Sequence, residues 1–195
     1  MRAIVAEFVG TAFLLATVVG SGIMGDRLAG GNVAIALLAN ALATGAALVA
    51  LILTFGPISG AHFNPAVSFV DAAEGGLRWP RACVYSIVQT AGGVLGVGAA
   101  DYMFEQPLYA WSRHVRSGLP QAFSEGVATF GLLAVILGCS RRRPGAVPFA
   151  VGAYITAAYW FTSSTSFANP VFRWLVPALP ARAPGVMVPP QRGDA

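Results

Sequence analysis

The chain has 195 residues, 56% hydrophobic and only 10% charged, and its net charge of +4 rests on twelve arginines with no lysine. A soluble domain carries about a quarter charged residues and breaks its apolar runs with polar faces, so this composition excludes an ordinary soluble domain. Arginines gathered in short loops fit membrane orientation better than a nucleic-acid surface, so no nucleic-acid partner is expected.

Uncharged runs extend from Phe8 to Gly25, Leu28 to Val70, Ala82 to Ala100, Gly126 to Ser140 and Pro144 to Phe172. A bilayer core takes about 20 apolar residues per helix, which places spans at about 4–24, 33–55, 82–101, 123–140 and 146–161. The first follows Met1-Arg2, but Glu7 interrupts the apolar run early and further spans follow, so a retained helix is expected rather than a cleaved signal. Glu7 and Glu125 each fall in the first turn of a span. A carboxylate there is either paired inside the bundle or favoured by the positive end of its own helix, and both readings stand.

The second run is too long for one helix. After the span come Gly56-Pro57, Gly60 and then Ser59–Ser68 as SGAHFNPAVS. Asn64 is a favoured N-cap, and Pro65 suits the first helical position, where its missing N–H costs nothing. A half-helix is therefore predicted to start at Pro65, with its positive dipole end at the membrane centre. In the third span, Gln89 is expected to hydrogen-bond within the bundle, and Gly92, Gly93 and Gly96 to admit a close helix neighbour. Cys83 and Cys139 lie in apolar stretches without metal or disulfide spacing and read as small packing residues. The last run repeats the design of the second, with a span followed by Ser163–Ser166 and Asn169-Pro170. Broken backbone at membrane depth is tolerated only in protein or beside a wet cavity, so two such segments imply re-entrant loops around a pore. From Trp174 the composition changes to Pro177, Pro180, Pro184, Pro189 and Pro190 with Arg182 and Arg192, and no further span is expected there.

In this five-span scheme Arg2, Arg78, Arg81, Arg141, Arg142 and Arg143 share one side, against Arg27, Arg113 and Arg116 on the other. The richer side should be cytoplasmic, with the N-terminus inside. Ala6–Thr11 and Ser124–Thr129 open the first and fourth spans with similar residues. Three spans separate these copies, so the second is inverted, and an inverted repeat places its site near the midplane between the halves. Two Asn amides and two positive half-helix ends meeting there can donate hydrogen bonds to a neutral solute while repelling cations.

SGAHFNPAVS closely resembles the first signature of the major intrinsic protein family of aquaporins and aquaglyceroporins. AEFVGTAFLL, Tyr85–Gly93 and SEGVATFGLLAVIL resemble its first, third and fourth helices, and SSTSFANP its second loop, so the likeness covers residues 3 to about 170. The resemblance implies an all-α fold: an aquaporin-like right-handed helical bundle with an inverted repeat and two re-entrant half-helices. Repeat one would occupy about 1–101 and repeat two about 123–173, with 174–195 as an irregular tail. It implies pore motifs at Asn64, Pro65 and Ala66 and at Asn169, Pro170 and Val171, the last replacing the usual Ala. Counting from the two Asn without gaps puts the family's constriction at Thr44, Ala157, Ser166 and Phe172, the first three of which are small. The matching glutamates of the family hold backbone groups of the re-entrant loops, a role that would fall to Glu7 and Glu125, and His62 matches a structural, pore-lining histidine.

Family members have six spans, so the sixth helix is expected to be missing and the end of the chain altered. The function expected is passive transport of water, glycerol-like solutes or metalloid hydroxides such as arsenite across a plasma membrane, by a homotetramer without cofactor, metal or enzyme chemistry. The rivals are a non-conducting member or subunit, and an ion-coupled transporter, for which only Glu7 and Glu125 offer intramembrane carboxylates.

Overall fold

The computed structural model describes residues 1–108 and 119–163. Six α-helices follow one another: α1 (Arg2–Leu28), α2 (Val33–Ser59), α3 (Pro65–Ala73), α4 (Trp79–Met103), α5 (Leu119–Arg142) and α6 (Val147–Phe161), with a 3₁₀ turn at Pro144–Ala146 before the last. Four of them, α1, α2, α4 and α5, are long and apolar enough to cross a membrane. The fifth expected span is α6, whose 15 residues extend about 22 Å, short of a hydrocarbon core of about 30 Å.

Local chemistry sets the helix ends. Asn32 caps α2, its Oδ1 accepting from the N–H of Ala34 at 3.1 Å and of Ile35 at 3.2 Å. Pro80 sits in the first turn of α4, where it costs no hydrogen bond. The expected end of the second span near 55 is corrected, because α2 continues through Pro57 to Ser59. Pro57 removes only one donor in the final turn, and Gly60 then closes that turn: its φ of +90° suits a left-handed cap, and its N–H reaches Gly56 O at 3.0 Å.

The long helices pack in the order α4, α1, α2, α6, α5, with α3 against α4 and touching α5. Without a hydrophobic drive in lipid, close backbone approach carries this packing. A Cβ on Gly92 or Gly96 would run into the carbonyl oxygens of Phe8 and Ala12, so only glycine lets α4 lie this close to α1. Gly45 and Gly152 do the same between α2 and α6, where Thr156 Oγ1 also meets Ala41 O at 3.3 Å. The Tyr154 hydroxyl donates to Ala128 O at 3.0 Å and ties α6 to α5. The opposite faces carry large exposed apolar side chains, among them Phe13, Ile87, Leu95, Phe130 and Phe149, as a lipid-facing surface requires. Arg141 at the end of α5 pairs with Glu74 at the end of α3, so these two ends share one face of the bundle.

Candidate pore site

The loop from Gly60 to Asn64 is built from strained backbone. Ala61 and Phe63 adopt φ of +50° and +48°, a region that costs non-glycine residues energy. The Glu7 carboxylate, fully buried in α1, holds the loop in that shape. Its Oε1 accepts from the N–H of His62 at 2.9 Å and the Ser59 hydroxyl at 2.6 Å, and its Oε2 from the N–H of Phe63 at 2.7 Å and Gln89 Nε2 at 2.8 Å. Ser59 Oγ in turn accepts from the N–H of Ala61 at 3.1 Å, and the Tyr85 hydroxyl donates to Ser59 O at 3.0 Å. One carboxylate thus gathers α1, α2, α4 and the loop.

Beyond the loop Asn64 caps α3, its Oδ1 accepting from the N–H of Ala66 at 2.9 Å, with Pro65 opening the helix. Ser68, one turn further, donates to Asn64 O at 3.2 Å and receives Gln89 Nε2 at 3.1 Å. His62 lies between Ser68 Oγ, 3.1 Å from its Nδ1, and Asp71, 3.5 Å from its Nε2. Its ring also meets that of Tyr85 edge-on at 5.6 Å. Sequence reasoning found Glu7, His62, Asn64 and Gln89 but missed Ser59, Ser68, Tyr85 and Asp71. For Ser59 and Ser68 the available signal was their place at the two ends of the SGAHFNPAVS stretch, and for Asp71 its place one turn beyond it.

The positive end of α3 opens on a cavity of about 350 Å³. It runs from Asn64, Thr44 and Tyr159 at its inner end to Asp71, Ser140 and Val147 at its mouth, along walls of Leu48, Ile52, Leu132, Leu133, Val151 and Ile155. Thr44 stands at the inner end. Ala157 does not: it is exposed, on the side of α6 turned away from the cavity-lining Val151, Ile155 and Tyr159. Its place opposite Thr44 belongs to Tyr159, whose hydroxyl lies 3.2 Å from Thr44 Oγ1. The expectation of a small residue opposite Thr44 is corrected, because the phenol of Tyr159 stands there.

Asn169, Pro170, Val171, Ser166 and Phe172 lie outside the described residues, as does the expected tail. Glu125 is half-buried in α5, and the loop it is expected to hold also lies beyond the described residues. The start of that segment is fastened next to it, the N–H of Ser163 donating to Ser124 Oγ at 2.9 Å.

The model of the major intrinsic protein family matches residues 1–178. The chain belongs to the major intrinsic protein family. The match extends a few residues past the motif-based likeness, into the segment where the composition changes. Aquaglyceroporin AqpS of Rhizobium meliloti (strain 1021) is 55% identical over 169 residues, covering 87% of this chain and 72% of that protein. Aquaporin NIP6-1 of Arabidopsis thaliana is 33% identical over 186 residues, covering 92% of this chain and 60% of that protein. In the solved structures, the aquaglyceroporin from Plasmodium falciparum shares the fold with a TM-score of 0.70 at 22% identity, over 94% of this chain and 91% of that one. This family member is therefore an all-α, multi-pass membrane protein of the aquaporin fold, and the family is one of channels for water and small solutes, not of enzymes.

Proposed function

We propose that this chain conducts small neutral solutes of glycerol size passively through the cavity beside α3, in the plasma membrane of a bacterium-like cell. The observation that carries the reading is the half-helix starting at Asn64-Pro65, whose positive end faces the inner end of a mostly apolar cavity. An apolar wall with a few donors dehydrates a neutral molecule at small cost, while the helix end opposes a cation. The 55% identity to an aquaglyceroporin supports a polyol as solute. Arsenite-like hydroxides belong to the same class of small neutral hydroxyl compounds and are a second solute to test.

The proposal includes three further elements. Asn169-Pro170 forms the second half of the pore centre in an inverted repeat spanning about 1–101 and 123–173, Glu125 supports that loop, and the N-terminus is cytoplasmic in a homotetramer. His62 and Gln89 support the first loop, a reading supported by their hydrogen bonds to Ser68 and, for Gln89, to Glu7.

The test is solute flux into proteoliposomes, followed by light scattering. The native chain is expected to pass glycerol without any ion gradient. Asn64→Asp replaces the amide by a carboxylate at the inner end of the cavity and is expected to reduce glycerol flux at least tenfold. Flux that depends on an ion gradient, or is unchanged by Asn64→Asp, would remove the pore-centre assignment.

A further inference from the structure

We infer that the groove between α1 and α4 on the outer face of the bundle binds one zwitterionic phospholipid, with an acyl chain along the groove and the headgroup at Arg27. The inference rests on the membrane location of the chain and not on what the pore conducts. The groove holds about 640 Å³ and shares no lining residue with the cavity beside α3. Small residues make it deep: Ala12, Ala16 and Gly20 from α1, and Gly96 and Ala99 from α4. Its rims are Phe13, Leu95 and Met103, all of them exposed. At one end the Phe104 ring closes it, so near to Gly20 that an added Cβ would stand 3.1 Å from the ring.

The lining asks for an apolar occupant. Thr17 and Ser21 are its two polar side chains, and both spend their protons on their own helix, donating to Phe13 O at 2.9 Å and to Val18 O at 3.5 Å. A polar solute would lose its hydrogen bonds to water there and find no donor in exchange. An acyl chain needs none. From Phe8 to Ser21 the groove follows α1 for about 20 Å. That exceeds half of a hydrocarbon core of about 30 Å, so a chain from one leaflet can lie in it through the whole depth of that leaflet.

The charges at the closed end select the head. The Arg27 guanidinium lies over the Phe104 ring, 5.2 Å from its centre, and donates to Phe104 O. Those contacts fix it at the end of the groove and leave further N–H groups to donate, in a fork that matches a phosphate. Asp26 and Glu105, next in the chain to Arg27 and Phe104, are exposed carboxylates. One guanidinium with two carboxylates suits a head that carries both signs. Phosphatidylethanolamine sets its phosphate on Arg27 and its ammonium beside the carboxylates, whereas the net negative head of phosphatidylglycerol meets repulsion.

The test titrates the full chain, purified in detergent and stripped of lipid, with phosphatidylethanolamine and with phosphatidylglycerol of the same acyl chains. Native mass spectrometry reads the bound lipid. One firmly held phosphatidylethanolamine per chain is expected, with phosphatidylglycerol bound at least fivefold more weakly. Arg27→Gln removes the phosphate contact, and Ala99→Phe fills the groove from an exposed position while leaving Arg27 in place. Each is expected to lower phosphatidylethanolamine binding at least fivefold, with helix content by circular dichroism unchanged. Glycerophosphoethanolamine, the head without its chains, is expected not to compete. Undiminished binding in either variant, equal binding of the two lipids, or competition by the free head would overturn the inference. A changed number of subunits in either variant would also overturn it, because the groove would then be a contact between copies of this chain.

Discussion

Glu7 takes a carboxylate out of contact with water, a cost offset only because four donors converge on it. Two of those donors are backbone N–H groups of residues next to or within left-handed backbone, so the same bonds hold the strain of Ala61 and Phe63. Glu7→Gln keeps the shape but turns an NH2 group toward donors that need an acceptor. We expect it to destabilise the protein by about 3 kcal/mol, in the range for breaking a buried charged network. Thermal unfolding in detergent, followed by tryptophan fluorescence, checks this, and an unchanged melting temperature would refute the role of Glu7 as the loop's clamp. The sequence told us that a carboxylate stood in a costly place. It left open whether that carboxylate was an interfacial helix-start residue or an internal partner, because the answer depends on which backbone lies within about 3 Å of it.

At the scale of the helix, spacing within one stretch of chain was enough to place most of the elements. Apolar runs, the Asn32 and Asn64 caps and the first-turn prolines are local features, and the helices begin where these features sit. Pro57 was the exception: α2 runs past it to Ser59, and Gly60, not the proline, closes the last turn. Close packing gives a sharper contrast between glycines. Gly96 lies against the Ala12 carbonyl, whereas Gly138 in α5 has nothing within 4 Å of an added Cβ. We expect Gly96→Leu to force α1 and α4 apart and to lower both stability and the yield of folded protein. Gly138→Ala should be tolerated and should stabilise α5 by up to about 1 kcal/mol, the difference in helix propensity. Parallel melting curves of the two variants check the pair of outcomes, and equal destabilisation would mean that close approach at Gly96 is not what holds these helices together.

For the whole molecule, the arginine asymmetry predicts which face of the bundle meets the cytoplasm. The ends of α3 and α5 share a face through Glu74 and Arg141, and the arginines at 141, 142 and 143 gather there. A single cysteine at position 2, with Cys83 and Cys139 replaced by serine, is expected to react with an impermeant maleimide only after the cells are opened. Labelling in sealed cells would reverse the orientation. Membership of a channel family, the membrane location and the half-helix start at Asn64-Pro65 could all be read from the linear chain, because each depends on composition or on residues adjacent in sequence. Only the tertiary structure decided that Tyr159, and not Ala157, faces Thr44. Helical residues advance by about 100° each, so a two-residue error in counting turns a side chain to the far face of its helix. A count carried across a loop of unknown conformation cannot fix that angle, whereas the packing of α6 against α2 through Gly45, Gly152 and Thr156 does.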